Sequence, residues 1–277
     1  MRSSSSSSEV AQGASIREVA QGASIWQRWP VLVYLASLAT MLVVWHAISR
    51  FFPPSLLPGP IPVLKRVWEI IVSGQFAVHM VATMVRVAAG FLSAFLVSIG
   101  LGIFMGVNRT AERFFEPNIV VGLTIPSLAW SVIALMWFGI SELAPIFTIF
   151  IVLQPLITVN IWQGTKALDH EVIEMARAFH ASRAMVIRDV VIPQLVPFLL
   201  AATRFGLSLA WKVTVIAELL GLSNGIGYMI HYSFGIFSML DVFAWTIAFT
   251  LVMLALEYGL LKPLEARITG WRRAVAL

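Results

Sequence analysis

Arg204, Ser208 and Lys212 follow one another at spacings of four residues, with Val215 three further on, inside a long apolar run. That spacing places them along one edge of a helix. Two cations and a hydroxyl on such an edge are suited to handling an anion, because a basic edge beside a water-filled path attracts negative charge through weakly screened Coulomb forces. The competing reading is structural: Arg204 lies near enough to the helix end to snorkel, and Lys212 pairs with an acid on another helix. Ser127, Trp130 and Ser131 form a second polar group. Pro126 can interrupt the helix beside them and expose backbone polar groups to a path, although kinks of this kind also occur in spans that hold no ligand.

Other ionisable residues in apolar surroundings need reasons too, since a charge inside a span costs about 2.5 to 3.5 kcal/mol. Arg86 precedes a run of small residues, "VAAG", and reads as a structural partner to an acid or to carbonyls. Glu218 lies six residues beyond Lys212, roughly 240° around a helix, so the two do not pair within it. It is expected near the outer interface, and Glu257 reads as structural. His46, His79, His170 and His231 show no metal-ligand spacing, and "NGIG" at Asn224 to Gly227 reads as a turn.

The elements that carry these residues follow from composition. Hydrophobic residues make up 59% of the chain and charged residues 12%, with a mean hydropathy of +0.87. A chain of that kind cannot bury its apolar surface by folding alone in water. With no water in a bilayer to satisfy the backbone, helices or a closed barrel are the available spans, and these runs lack the alternation of barrel strands. The expected fold is therefore an all-α membrane protein. Six spans are expected, at Val31 to Ser49, Met80 to Val107, Asn118 to Ile140, Leu143 to Gln163, Leu195 to Leu219 and Val242 to Leu261. Between the first two, "PVLKRVWEIIVSGQF" places Val63, Val67, Ile70 and Ile71 on one face, which suits a helix lying at the membrane surface. The absence of Cys excludes disulfides, thiolate metal sites and a Cys nucleophile.

Residues 1–29 open with a run of six serines, Ser3 to Ser8, followed by two copies of "EVAQGASI", at Glu9 to Ile16 and Glu18 to Ile25. They have little to bury and are expected to form a disordered cytoplasmic leader. Residues 30–273 form the transmembrane domain, and residues 274–277 a short tail. Of the nineteen Lys and Arg residues, thirteen fall in segments that are inside if the N-terminus is inside. Three (Arg50, Lys65, Arg66) fall outside, and three (Arg86, Arg204, Lys212) lie within spans. Both termini are thus expected in the cytoplasm.

One stretch interrupts the apolar text: "DHEVIEMARAFHASRAMVIRDVVIPQLVP", from Asp169. Asp169 can cap a first helix whose Val172, Ile173, Ala176 and Phe179 share a face. Ser182 can cap a second, carrying Met185, Val186 and Val190 until Pro193 stops it. The bend falls at His180 and Ala181. Such a hairpin, apolar on one face and rimmed by Arg177, Arg183 and Arg188, is built either to sit in a groove on another protein or to pack on its own bundle.

The stretch resembles the coupling motif of ABC importer permeases: Glu-Ala-Ala, three residues, Gly, nine residues, Ile-x-Leu-Pro. Here it runs Glu174-Met175-Ala176, three residues to His180, and nine to Val190-Val191-Ile192-Pro193. His180 in place of Gly is the substantive departure, since Gly adopts a left-handed turn without strain and His is among the residues that tolerate one. "SLLPGPIPVLKRVWEIIVSGQF", "TMVRVAAGF", "WFGISELAPIF" and "AELLGLSNGIGYMI" extend the resemblance from about Pro53 to Arg273, nearest to the nitrate, sulfonate and taurine type. The resemblance implies a non-catalytic pathway subunit for a small anionic solute of the nitrate, sulfonate or taurine kind in a bacterial inner membrane. It further implies a second permease chain (a homodimer), two cytoplasmic ATP-binding subunits holding ATP and Mg, and an external substrate-binding protein, with lipid around them and no nucleic acid. The cytoplasmic coupling hairpin between spans four and five would then be carried by Glu174, Met175, Ala176, Arg177, Phe179, His180, Ala181, Ser182, Arg183 and Pro193. No G-x-x-x-x-G-K-[ST] loop is present, so ATP hydrolysis would belong to a partner, and no cofactor is expected in this chain. The alternatives are a secondary transporter or channel working without an ATPase, and a membrane-embedded enzyme. The first would show coupling ions and often inverted repeats. The second would show a His, Asp or Ser constellation at one depth. Neither signature stands out.

Overall fold

The computed structural model describes residues 30–269, all of them helix, turn or irregular, with no strand among them. The expected leader (1–29) and tail (274–277) lie outside the described residues. The chain divides into two compact units, residues 1–62 and 63–277. The first contains α1 (Pro30–Ser49). Helix α2 (Pro60–Val72) begins at its end, and the second unit holds α3 (Gln75–Val107), α4 (Arg109–Thr124), α5 (Ser127–Phe138) and α6 (Leu143–Lys166). There follow α7 (His170–Ala178), α8 (Arg183–Val186), α9 (Ile192–Gly221), α10 (Ile226–Gly235), α11 (Met239–Leu256) and α12 (Lys262–Thr269).

Among the described residues, four helical stretches are long and apolar enough to cross a bilayer: Gln75–Val107, Leu143–Lys166, Arg183–Gly221 and Met239–Leu264. The other two expected spans take different forms. The apolar part of α1, Val33–Ser49, is shorter than these four. The span expected from Asn118 to Ile140 is two helices, α4 and α5, meeting at 96°. Pro126 lies at that bend with extended backbone (φ −60°, ψ 137°), as its restricted ring favours.

Helix α3 packs most extensively on α6, and α6 in turn on α9. The reason is visible along α3, where Gly90, Ala94, Ser98, Gly102 and Gly106 recur every fourth residue and face Ile149, Leu153, Ile157, Ile161 and Thr165 of α6, spaced likewise. A Cβ on Gly102 would sit 2.8 Å from the Ile161 Cβ, so only the absence of a side chain permits this approach. Small residues at period four bring two membrane helices into van der Waals contact where the hydrophobic effect between helices is absent. Ser98 adds a hydrogen bond across the seam, donating its hydroxyl to the Gln154 carbonyl at 2.9 Å.

In α2, Val63, Val67 and Ile70 are buried as the surface-helix pattern predicts, while Ile71 points outward. The helix is anchored by Arg66, whose guanidinium reaches Asp241 at 2.6 Å and Glu69 at 3.0 Å. Those bonds raise its pKa above the ordinary arginine value. The connection between the expected fifth and sixth spans contains a ten-residue helix, α10.

Candidate functional site

Three polar constructions lie along the bundle. The first is the interrupting stretch. Asp169 accepts from the backbone N–H groups of Glu171 and Val172, and Ser182 accepts from that of Met185, so both expected caps form. At the bend, His180 has φ 58°, the Ala181 N–H donates to the Ala176 carbonyl at 3.1 Å, and the His180 N–H donates to the Arg177 carbonyl at 2.9 Å. This pair of bonds closes a helix through a left-handed residue, with His180 where Gly is usual. The Asp169 N–H also donates to the Gln194 side chain at 2.8 Å, tying the start of α7 to the start of α9.

Two expectations for this stretch need correction. Pro193 does not stop the second helix: α8, a π-turn over Ile187–Val191 and α9 form one helical stretch from Arg183 to Gly221. In the π-turn the Ile192 N–H reaches back five residues to the Ile187 carbonyl. The widened turn accommodates the proline, which has no N–H to donate and would clash in a regular helix. Nor does Phe179 share the buried face. Ile173 is buried and Val172 and Ala176 are half-buried, but Phe179 caps the helix and is 81% exposed. Beside the hairpin a cavity of about 1030 Å³ is lined by Thr165, Ile173, Glu174, Arg177, Ala181 and Arg183 among others.

The second construction stands at the opposite end of α9 and centres on Arg86, which is 1% exposed. Its guanidinium grips Glu142 with two bonds of 2.6 Å, reaches Glu218 at 2.7 Å and the Asn224 carbonyl at 3.0 Å, and contacts the Asn224 side chain. Glu218, fully buried, also accepts from Thr83 Oγ1 at 2.8 Å and from the Gly227 N–H at 2.9 Å. Gly225 is required here: its φ is 109°, and a Cβ would fall 2.5 Å from a Glu218 carboxylate oxygen. The "NGIG" segment is thus a turn that cradles the chain's own carboxylate at the N-terminus of α10, where backbone N–H groups point outward. His79, passed over in the sequence, accepts the Gly225 N–H on Nδ1 at 3.1 Å and packs edge-on against Trp245. Glu142 lies outside the apolar helices, and its bonds to Arg86 hold its carboxyl below the usual glutamate range. Arg86 thus has an acid and a carbonyl as partners, as its sequence context indicated, while its pairing with Glu218 is a finding of the structure.

The third construction is the basic edge of α9. Arg204 is paired through Nε at 3.0 Å and Nη2 at 2.9 Å with Glu257, the first residue of a π-turn (Glu257–Leu261) that continues α11. Ser208 and Lys212 instead line a cleft of about 310 Å³ with Trp211, Phe249, Thr250 and Met253, which extends to Leu256, Glu257 and Leu261. Lys212 makes no hydrogen bond or ion pair among the described residues. The α5 group lies elsewhere: Ser131 is buried and donates to the Ser127 carbonyl at 3.0 Å. The buried Trp130 indole N–H has no partner among the described residues. Those residues likewise contain no metal-binding cluster of His, Cys, Asp or Glu.

Residues 98–268, from within α3 to α12 and including the interrupting stretch, match the family described as "Binding-protein-dependent transport system inner membrane component". The chain belongs to this family. The permease is 30% identical over 260 residues to the taurine transport system permease protein TauC of Escherichia coli (strain K12), covering 90% of this chain and 94% of that one. It is 32% identical over 211 residues to the nitrate import permease protein NrtB of Synechococcus elongatus, covering 73% and 76% respectively. In fold, the permease superposes on a chain of the crystal structure of an amino acid ABC transporter with histidines, at a TM-score of 0.58 and 19% identity. That superposition covers 72% of this chain and 96% of the other.

Proposed function

We propose that the permease forms, with a second copy of itself, the pathway of an ATP-driven importer for a small anion, and that residues 169–193 are gripped by a separate ATP-hydrolysing subunit. The exposed hairpin carries this reading. Phe179, Met175 and Met185 are 81%, 56% and 53% exposed on a segment whose backbone is capped and locked, beside Arg177 and Arg183. A rigid apolar tip with a basic rim fits a groove on a partner protein. Family membership supports an external binding protein as the solute's source. Relatives named for taurine and nitrate transport support an anionic cargo.

In this reading the chain crosses the membrane six times: α1, α3, the bent pair α4 and α5, α6, the continuous stretch through α8 and α9, and α11. The hairpin faces the cytoplasm with both termini, in the inner membrane of a bacterial cell, as the distribution of Lys and Arg favours. Glu174, Met175, Ala176, Arg177, Phe179, His180, Ala181, Ser182, Arg183 and Pro193 form the coupling segment. Ser127, Trp130, Ser131, Arg204, Ser208 and Lys212 belong to the pathway or its immediate support. ATP and Mg are held by the partner.

The test is purification of the tagged chain from its native membrane, with and without residues 169–193 replaced by a polar linker. Co-elution of a protein bearing a phosphate loop, lost with the replacement, is the expected result. A chain that elutes alone and moves solute in liposomes without ATP would overturn the reading.

A further inference from the structure

Helices α9 and α11 approach each other differently from the other neighbours in the bundle. The close backbone partner of α11 is α10, while α9 packs on α6 and α10. Side chains bridge α9 to the stretch from α11 into its following π-turn at two levels, the Arg204–Glu257 ion pair and the Trp211–Phe249 ring contact, whose centroids are 6.2 Å apart. The cleft of about 310 Å³ occupies this splayed region.

Its charge balance is simple. Arg204 and Glu257 offset each other, which leaves Lys212 as the uncompensated cation on the lining among the described residues. Lys212 lies twenty residues into α9, about 30 Å from Ile192 and about 14 Å from Gly221 at 1.5 Å per residue. An ammonium at that depth is costly to leave without an anion or water. Around it the lining is hydroxyl and apolar. Ser208 is one helical turn away, with no hydrogen bond to another described residue, and the Thr250 hydroxyl lies across the cleft, donating to the Thr246 carbonyl. Trp211, Phe249, Met253, Leu256 and Leu261 form the walls.

We propose that this cleft is an intramembrane holding site for an organic monoanion, a sulfonate or carboxylate headgroup bound by Lys212 and Ser208, with an apolar body lying along Phe249, Met253 and Leu256. The volume is at the small end of ligand cavities, roughly 300 to 1,000 Å³. A bare inorganic anion would fill little of it and leave the apolar walls without contacts. At the far end of the cleft Glu257 is already paired with Arg204, so the lining offers no second cation to a second negative group, and dianions are disfavoured. A lipid headgroup is a poorer occupant, because Lys212 sits well inside the span rather than at its rim. The inference rests on the importer reading and narrows its cargo.

The test uses the permease together with whatever ATPase co-purifies, in nanodiscs of neutral lipid, with benzenesulfonate binding measured by calorimetry. Nitrate, 1-hexanol and 1,6-hexanedisulfonate serve as comparison probes. Benzenesulfonate is expected to bind at least tenfold more tightly than any of the three. Lys212→Gln is expected to weaken it at least tenfold, and Lys212→Arg less than threefold. Lys212 is exposed, so neither substitution disturbs packing, and retained ATPase co-elution checks that the variants assemble. Undiminished binding in Lys212→Gln, preference for nitrate, or displacement of the probe by added phosphatidylglycerol would each overturn the proposal while leaving the importer reading intact. ATP-independent uptake by a chain without an ATPase partner would instead defeat the importer reading.

Discussion

Arg86 shows what a buried charge requires in this molecule. Its guanidinium is satisfied by two carboxylates, a carbonyl and an amide side chain, and Glu218 by three groups in turn. Removing one member strands the others in a medium that cannot solvate them, at a cost of about 3 to 5 kcal/mol. Arg86→Met is therefore expected to lower the thermal midpoint of the purified chain sharply. The double variant Arg86→Met, Glu218→Leu should recover part of the loss, since it leaves no uncompensated buried ion. A single variant as stable as the wild type would show that the cluster is not what holds this end together. Little of the cluster was legible beforehand. An arginine before "VAAG" announces a need for a partner, but its partners stand 56, 132 and 138 residues away, and no local pattern points to them.

At the scale of elements, the α3–α6 seam and the path through Pro193 carry the argument. The small residues from Gly90 to Gly106 recur at a helical period that is visible in the sequence, yet its meaning depends on a second period on α6 that meets it. Gly102→Leu would force a branched side chain into the space held by Ile161, an overpacking worth about 1 to 3 kcal/mol. The expected result is a lower thermal midpoint and looser α3–α6 cross-linking. The same substitution at Gly100, which has open space around it, should be neutral. Pro193 shows the opposite kind of failure. A local rule says that proline ends a helix, and the chain evades it with a π-turn that no residue pattern announces.

At the scale of the whole molecule, α7 and the start of the α8–α9 stretch are joined by a short, hydrogen-bonded bend, and that stretch runs from Arg183 to Gly221 without a hinge loop. In the proposed coupling role, a push on the hairpin would be delivered along α9, which carries the Lys212 cleft and ends at the Glu218 cluster. Glu174 is exposed and lines the cavity beside the hairpin, so Glu174→Lys changes a contact surface without disturbing the core. The expected outcome in reconstituted vesicles is continued ATP hydrolysis with solute uptake reduced at least tenfold, and a thermal midpoint within a few degrees of wild type. Uptake at the wild-type rate would count against the coupling role.

Residue order alone was enough for the class of the protein, because a bilayer leaves a chain this apolar few options and helix caps are local chemistry. The caps at Asp169 and Ser182, the left-handed bend at His180 and the break at Pro126 all depend on neighbours within a few residues. Tertiary structure decided which charges are spoken for. Arg204 and Lys212 look alike in the sequence, one turn either side of Ser208, yet Glu257 reaches only the first. The difference arises from how α11 splays from α9, a consequence of packing summed over several helices that neither helix encodes separately.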